Sequence, residues 1–176
     1  ASKKSIEQRF EALDEKCGME TNADVAVAKA ECYMQEHNPT VALKLVNDVR
    51  ARDPFHMGCI VVYLTALVEL SKKSDLFLIA HQLVDAYPKR GVSWFAVGCY
   101  YYSVAKFDAA RRYFNKATTV EPQFAPAWIG FGNAFAAQDE SDQAMAAYRT
   151  AARLFPGSHV PLLCSGMEYL RTNNLK

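Results

Sequence analysis

Four prolines, Pro54, Pro88, Pro122 and Pro156, follow one another at intervals of 34 residues. A helix-stopping residue that recurs at one spacing marks a single supersecondary unit used again and again. Trp94 and Trp128 share the interval. So do Gly98, Gly132 and Gly166, Ala110 and Ala144, and Ala117 and Ala151, while Phe114 is matched by Tyr148. With Gly91 as position one, Trp94 is position four, Val97 seven, Gly98 eight and Tyr101 eleven. Ala110 is then position twenty, Phe114 twenty-four, Ala117 twenty-seven and Pro122 thirty-two. The window that starts at Ala125 sets Trp128, Phe131, Gly132, Phe135, Ala144, Tyr148, Ala151 and Pro156 at the same eight positions.

The physical content of that order is packing. Positions four, seven, eight and eleven make one stripe of a first helix at i, i+3, i+4, i+7 spacing. Glycine at eight admits a second helix closely, at an expense in helix propensity of about 1 kcal/mol. Alanine at twenty is where the second helix meets it, aromatics at four, eleven and twenty-four fill the remaining space, and proline ends the second helix. The pattern is that of the tetratricopeptide repeat. It predicts an all-α solenoid, a right-handed superhelix of antiparallel helix pairs.

Weaker copies flank the two full ones. Residues 23–56 keep Ala30, Tyr33, Ala42 and Pro54 but no tryptophan. Residues 57–90 keep Pro88 and carry Leu64 and Leu76 where small residues are expected, which predicts a wider or shifted hairpin. The chain therefore divides into a terminal helix of a preceding repeat (1–22), degenerate repeats (23–56 and 57–90), full repeats (91–124 and 125–158) and the first helix of a truncated repeat (159–176). Helices are expected at 3–16, 23–36, 40–52, 57–71, 74–87, 91–103, 107–119, 125–137, 141–154 and 159–171. Both ends fall inside repeats without a polar capping helix, as expected of an excerpt from a longer array or of an end covered by a partner.

Composition narrows the function classes. With 51% hydrophobic and 12% aromatic residues the chain can bury a core, and a net charge of +1 gives no electrostatic reason to expect nucleic acid or an anionic membrane as partner. No apolar run reaches the roughly 20 residues a membrane helix takes, and the first ten residues lack the apolar stretch of a signal peptide. Cys17, Cys32, Cys59, Cys99 and Cys164 form no C-x-x-C pair, so they read as reduced thiols of the cytosol or nucleus. His37, His56, His81 and His159 form no metal-binding pair. Gly130–Phe131–Gly132 follows no strand and fails the test for a phosphate loop; Gly132 belongs to helix packing and Gly130 is expected on the groove side. No catalytic residue, cofactor or metal is expected, and the reading is of a protein that holds other proteins.

In a tetratricopeptide array the first helices line an inner groove through positions such as five, nine and twelve. These are Phe95, Ile129 and Leu163 at five, Cys99, Asn133 and Met167 at nine, and Tyr102, Ala136 and Leu170 at twelve. Chaperone-binding members hold a peptide carboxylate with Lys or Arg at five and Asn at nine; only Asn133 matches. The groove is apolar instead, which suits an extended or helical segment docked by apolar anchors. Phe95, Cys99, Tyr102, Ile129, Asn133, Leu163 and Met167 are the candidate partner-binding residues, with Phe95 and Tyr102 as the aromatics expected outside the core.

The runs VSWFAVGCYY, ARRYFNKATT, PAWIGFGNAFA and DQAMAAYRTAA, with DPFH, LVEL and HQLVDAYP upstream and GMEYLRTNN downstream, go beyond a repeat consensus. They closely resemble the cell division cycle protein 16 subunits of the anaphase-promoting complex, over roughly residues 23–174. That resemblance implies a non-catalytic scaffold within a multisubunit ubiquitin ligase controlling mitotic progression, found in nucleus and cytoplasm. It implies homodimerisation of the full-length protein through N-terminal repeats, contacts with neighbouring tetratricopeptide subunits, and enclosure of the N-terminal segment of a small accessory subunit. The chain looks too short for a whole family member. A generic tetratricopeptide adaptor that binds an apolar peptide or helix in another complex is the alternative.

Overall fold

In the computed structural model residues 8, 10–12, 22–54 and 56–173 are described; most of the helix expected at 3–16, and Cys17, lie outside them. Among the described residues there are helices α1 (Ala23–Gln35), α2 (Pro39–Arg52), α3 (Met57–Glu69), α4 (Lys73–Ala86), α5 (Gly91–Ser103), α6 (Phe107–Val120), α7 (Ala125–Ala136), α8 (Ser141–Leu154) and α9 (Val160–Asn173), and no strand. Their bounds fall within a residue or two of those read from the sequence. The fold is the all-α tetratricopeptide repeat. The chain forms two compact units, Ala1–Ser71 and Lys72–Lys176. The division falls in the turn between the two helices of the 57–90 window, the one with leucines at positions eight and twenty.

In the first unit α1 and α2 pair as a hairpin and α3 packs on both. Asn22 caps α1, its Oδ1 accepting from the Asp24 N–H at 2.8 Å. His56 caps α3 through Nδ1, which accepts from the Cys59 N–H at 3.2 Å, and this leaves Nε2 to donate to Asp24 at 3.0 Å. One imidazole thus ties two helix starts together. Ala30 and Ala42, at positions eight and twenty, are fully buried. Leu64 is fully buried too, as is Leu76 on α4 in the second unit, so neither large side chain is pushed out to solvent.

In the second unit successive helices pack antiparallel from α4 to α9. The glycines at position eight are needed for contact. A Cβ on Gly98 would lie 2.5 Å from the Phe114 ring, and one on Gly132 would lie under 3.0 Å from Tyr148. Gly130 was expected on the groove side; instead a Cβ there would come within 2.7 Å of Phe114. Phe114 is therefore clasped between a glycine of its own hairpin and one of the next helix. Ala110, Ala117, Ala144 and Ala151 are fully buried where helices cross. The tryptophans do more than fill space: Trp94 donates its indole N–H to the Pro88 carbonyl, and Trp128 to that of Pro122, both at 2.9 Å. Proline stops one helix and its carbonyl pins the next. Both tryptophans stay half-buried.

The turns inside the hairpins carry a period that residue types hide. His37, Ser71, Ala105 and Asp139, again 34 apart, all have positive φ, from 54° to 61°. At Ala105 the bonds Ala105 N–H to Tyr102 O and Lys106 N–H to Tyr101 O, both 3.0 Å, form the Schellman ending that usually uses glycine. Asp139 and Glu140 repeat it on Ala136 and Phe135, and His37 and Asn38 on Met34 and Tyr33. Ionic contacts then join successive hairpins of the second unit. Arg111 pairs with Asp108 at 2.6 Å and with Glu140 at 2.8 Å, and Arg171 pairs with Glu168, at 2.7 Å, and with Asp139.

Candidate functional site

Within the second unit the inner-face positions come from α5, α7 and α9, each held by the second helix that packs on it. The structure sorts the seven candidates by what covers them. Phe95 is only 3% exposed; its ring lies 5.7 Å from Phe114 and 5.5 Å, edge-on, from Phe124. The expectation that Phe95 stands outside the core is corrected, because Phe124 in the turn between repeats closes over it. Cys99 is likewise buried, and burial pushes its thiol far up. Neither can touch a partner unless the hairpin opens.

Tyr102, Ile129 and Asn133 are half-buried, and Leu163 and Met167 are exposed. Leu170, one turn on, is exposed as well. Tyr102 packs edge-on to Phe107 at 5.5 Å. Its hydroxyl is pushed above the usual tyrosine range, first by burial and then by Cys164 close by. Asn133 is held from inside: the Tyr148 hydroxyl donates to its Oδ1 at 2.8 Å. That bond orients the amide and leaves its N–H₂ donors for another group. Tyr148 itself is raised by burial first, then by Cys164 and Glu168.

Tyr148 thus lies against Asn133, with Tyr102, Cys164 and Glu168 near enough to Tyr148 to act on it electrostatically, and Tyr148, Cys164 and Glu168 were not read as partner-binding residues from the sequence. One signal was available. A tyrosine where the preceding repeat has phenylalanine brings a hydroxyl that needs an acceptor, and the Asn at position nine supplies it. Glu168 is 5% exposed and its carboxylate accepts from Arg171 Nε at 3.1 Å and Nη2 at 2.7 Å, which holds it below the usual glutamate range. Leu163 and Met167 share template positions with Phe95 and Cys99, yet no turn residue or second helix among the described residues lies over them.

The thiols of this face, Cys99 and Cys164, are buried or half-buried, and burial raises both above the usual cysteine range. Among the described residues no group of three or more His, Cys, Asp and Glu could hold a metal ion, and no helix is long and apolar enough to cross a membrane.

Known proteins resemble the chain closely. A tetratricopeptide repeat family model matches residues 95–159. Anaphase-promoting complex subunit 6 of Arabidopsis thaliana is 52% identical over 155 residues, 88% of this chain and 28% of that protein. The cell division cycle protein 16 homolog of Homo sapiens is 50% identical over 160 residues, 90% of this chain and 26% of that protein. A crystal structure of the anaphase-promoting complex hetero-tetramer Cut9-Hcn1 matches with a TM-score of 0.88 and 38% identity, over 96% of this chain and 32% of that one. The chain spans little more than a quarter of the length of these curated relatives. Its repeats, its specific strings and its fold agree on one lineage: the chain belongs to the family of anaphase-promoting complex subunits named cell division cycle protein 16 and subunit 6.

Proposed function

We propose that this chain is a non-catalytic scaffold segment of an anaphase-promoting complex subunit, and that the inner face of its first helices holds a segment of a small accessory subunit. The observation that carries this reading is the likeness, over nearly the whole chain, to Cut9 in a hetero-tetramer with Hcn1. The face offers apolar anchors in Tyr102, Ile129, Leu163 and Met167 and one oriented amide in Asn133. Anchors of that kind fit an extended or helical segment, and an amide fits a backbone carbonyl of that segment. In this reading ubiquitin transfer falls to other subunits, neighbouring tetratricopeptide subunits meet other faces, and the full-length protein homodimerises. It works in nucleus and cytoplasm.

Isothermal titration of the chain with a peptide copying the N-terminal segment of the accessory subunit tests the reading. Saturable binding is expected, and the combined Tyr102→Ala and Ile129→Ala variant should abolish it while remaining helical by circular dichroism. Unchanged affinity in that variant would remove the inner face as the site. No binding by the folded chain would leave the adaptor reading, with a partner from another complex.

A further inference from the structure

Between α4 and α5 lies an open cleft of about 250 Å³ with an unusual lining. Phe77, His81 and Asp85 enter it from one stripe of α4, and Tyr100 and Tyr101 face them from α5. The rings touch in series: His81 and Phe77 at 4.2 Å, Phe77 and Tyr100 at 5.4 Å, Tyr100 and Tyr101 at 5.3 Å. Phe77 is nonetheless 49% exposed. His81 Nδ1 lies 3.1 Å from the Phe77 carbonyl, which can only accept, so Nδ1 carries the proton and Nε2 of the neutral ring keeps its lone pair. Asp85 makes no ion pair among the described residues. The cleft thus offers aromatic faces, a carboxylate and a second acceptor, a set that favours a planar cation rich in N–H donors.

The two neighbouring seams of the same kind show which cation. Each is formed by the second helix of one repeat and the first helix of the next. Between α2 and α3 the Arg50 guanidinium lies 3.9 Å from the Tyr63 ring. Between α6 and α7 the Arg111 guanidinium lies 5.0 Å from the Phe135 ring and pairs with Asp108 and Glu140. Shifted by 34 residues, Arg50 and Tyr63 become Val84 and Val97, which line the cleft, and Arg111 and Phe135 become Phe77 and Tyr101. The chain fills those two seams with its own arginine; the α4–α5 seam keeps a ring at Tyr101 and has no arginine, Ser74 and Lys106 stand where Asp108 and Glu140 hold Arg111, the acid comes instead from Asp85, and Lys116 lies over the Trp94 ring at 3.2 Å. We infer that this cleft takes an arginine side chain presented by a basic segment of a partner protein.

The test is a titration of the chain with the capped tripeptide acetyl-Gly-Arg-Gly-amide, followed by NMR at the Trp94 indole, which lines the cleft, and at the tyrosine ring protons. Saturable shifts confined to the cleft are expected, with a Kd on the order of millimolar for so small a probe. Asp85→Asn, at an exposed position, should weaken binding about tenfold, as loss of a charge-assisted contact does. The citrulline tripeptide, the same shape without the charge, should leave the resonances in place. A second variant, Phe77→Arg, copies Arg111 and should supply the guanidinium internally, so that the arginine tripeptide no longer shifts Tyr100 and Tyr101. Equal response to arginine and citrulline would assign the cleft to a neutral occupant and overturn the inference. So would the absence of any shift, or an affinity unchanged by Asp85→Asn.

Discussion

The hairpins α5–α6 and α7–α8 obey one template and solve its central contact differently. In the first, Phe114 is 2% exposed, lies against Gly98 and Gly130, and faces Phe95. In the second, Tyr148 is 3% exposed, lies against Gly132, and sends its hydroxyl to Asn133. Position nine follows the ring: a buried cysteine where the ring is apolar, a half-buried asparagine where it carries a hydroxyl. The difference teaches that one buried position can set the chemistry of the inner face. Phenylalanine yields a closed apolar wall at Phe95 and Cys99, and tyrosine yields a wall with one oriented amide.

The strongest way to break that comparison is to empty the first slot. Phe114→Ala removes a fully buried ring for which Gly98 and Gly130 leave room. It should destabilise the second unit by about 3–5 kcal/mol, read as a fall in the denaturant midpoint. A loss under about 1 kcal/mol would mean that Phe114 is not the contact on which the two helices close.

Exchanging the rings sharpens the comparison at smaller expense. Tyr148→Phe strips Asn133 of its partner and should destabilise by about 1 kcal/mol, since the amide is half-exposed and water can replace the hydroxyl. Phe114→Tyr brings a hydroxyl toward buried Cys99, with no oxygen acceptor at position nine, and should destabilise by about 1–3 kcal/mol. Adding Cys99→Asn to Phe114→Tyr copies the second hairpin and should recover part of that loss. A double-mutant cycle reads the recovery as a coupling energy, and a cycle with no coupling would show that positions nine and twenty-four are independent.

What was legible in the sequence follows from which physics repeats. Helix bounds and core stripes repeat because packing at i, i+3, i+4 and i+7 depends on residue size, and size is visible: Gly98, Ala110 and Phe114 announce one another. Exposure on the inner face does not repeat in that way. Position five is buried at Phe95 and open at Leu163 because Phe124 covers one and no described residue covers the other. Gly130 makes room for Phe114, which reaches it from the preceding helix, and no residue type at either position announces that contact. The turns were illegible for the opposite reason: histidine, serine, alanine and aspartate share a backbone conformation and no side-chain property. The Tyr148–Asn133 bond was written in the sequence as two substitutions, one at position twenty-four and one at position nine, and its meaning lies in their pairing.

Those turns supply the smallest test, one that separates the two hairpins again. A non-glycine residue in the left-handed region carries a penalty of about 1 kcal/mol from its Cβ. Ala105 has a methyl group and nothing to offset the penalty, whereas Asp139 at the same template position pairs with Arg171. Ala105→Gly should relieve the strain and raise stability by up to about 1 kcal/mol, lessened by the extra freedom glycine brings to the unfolded chain. Asp139→Gly relieves less strain, because aspartate tolerates the left-handed region better than alanine, and it also removes a surface ion pair worth about 0–1 kcal/mol, so its net effect should be nearer zero. Added salt screens that ion pair and should draw the two substitutions together, while leaving the Ala105→Gly gain unchanged. A loss of stability in Ala105→Gly would show that the Schellman turn sets its own conformation without strain at its left-handed residue.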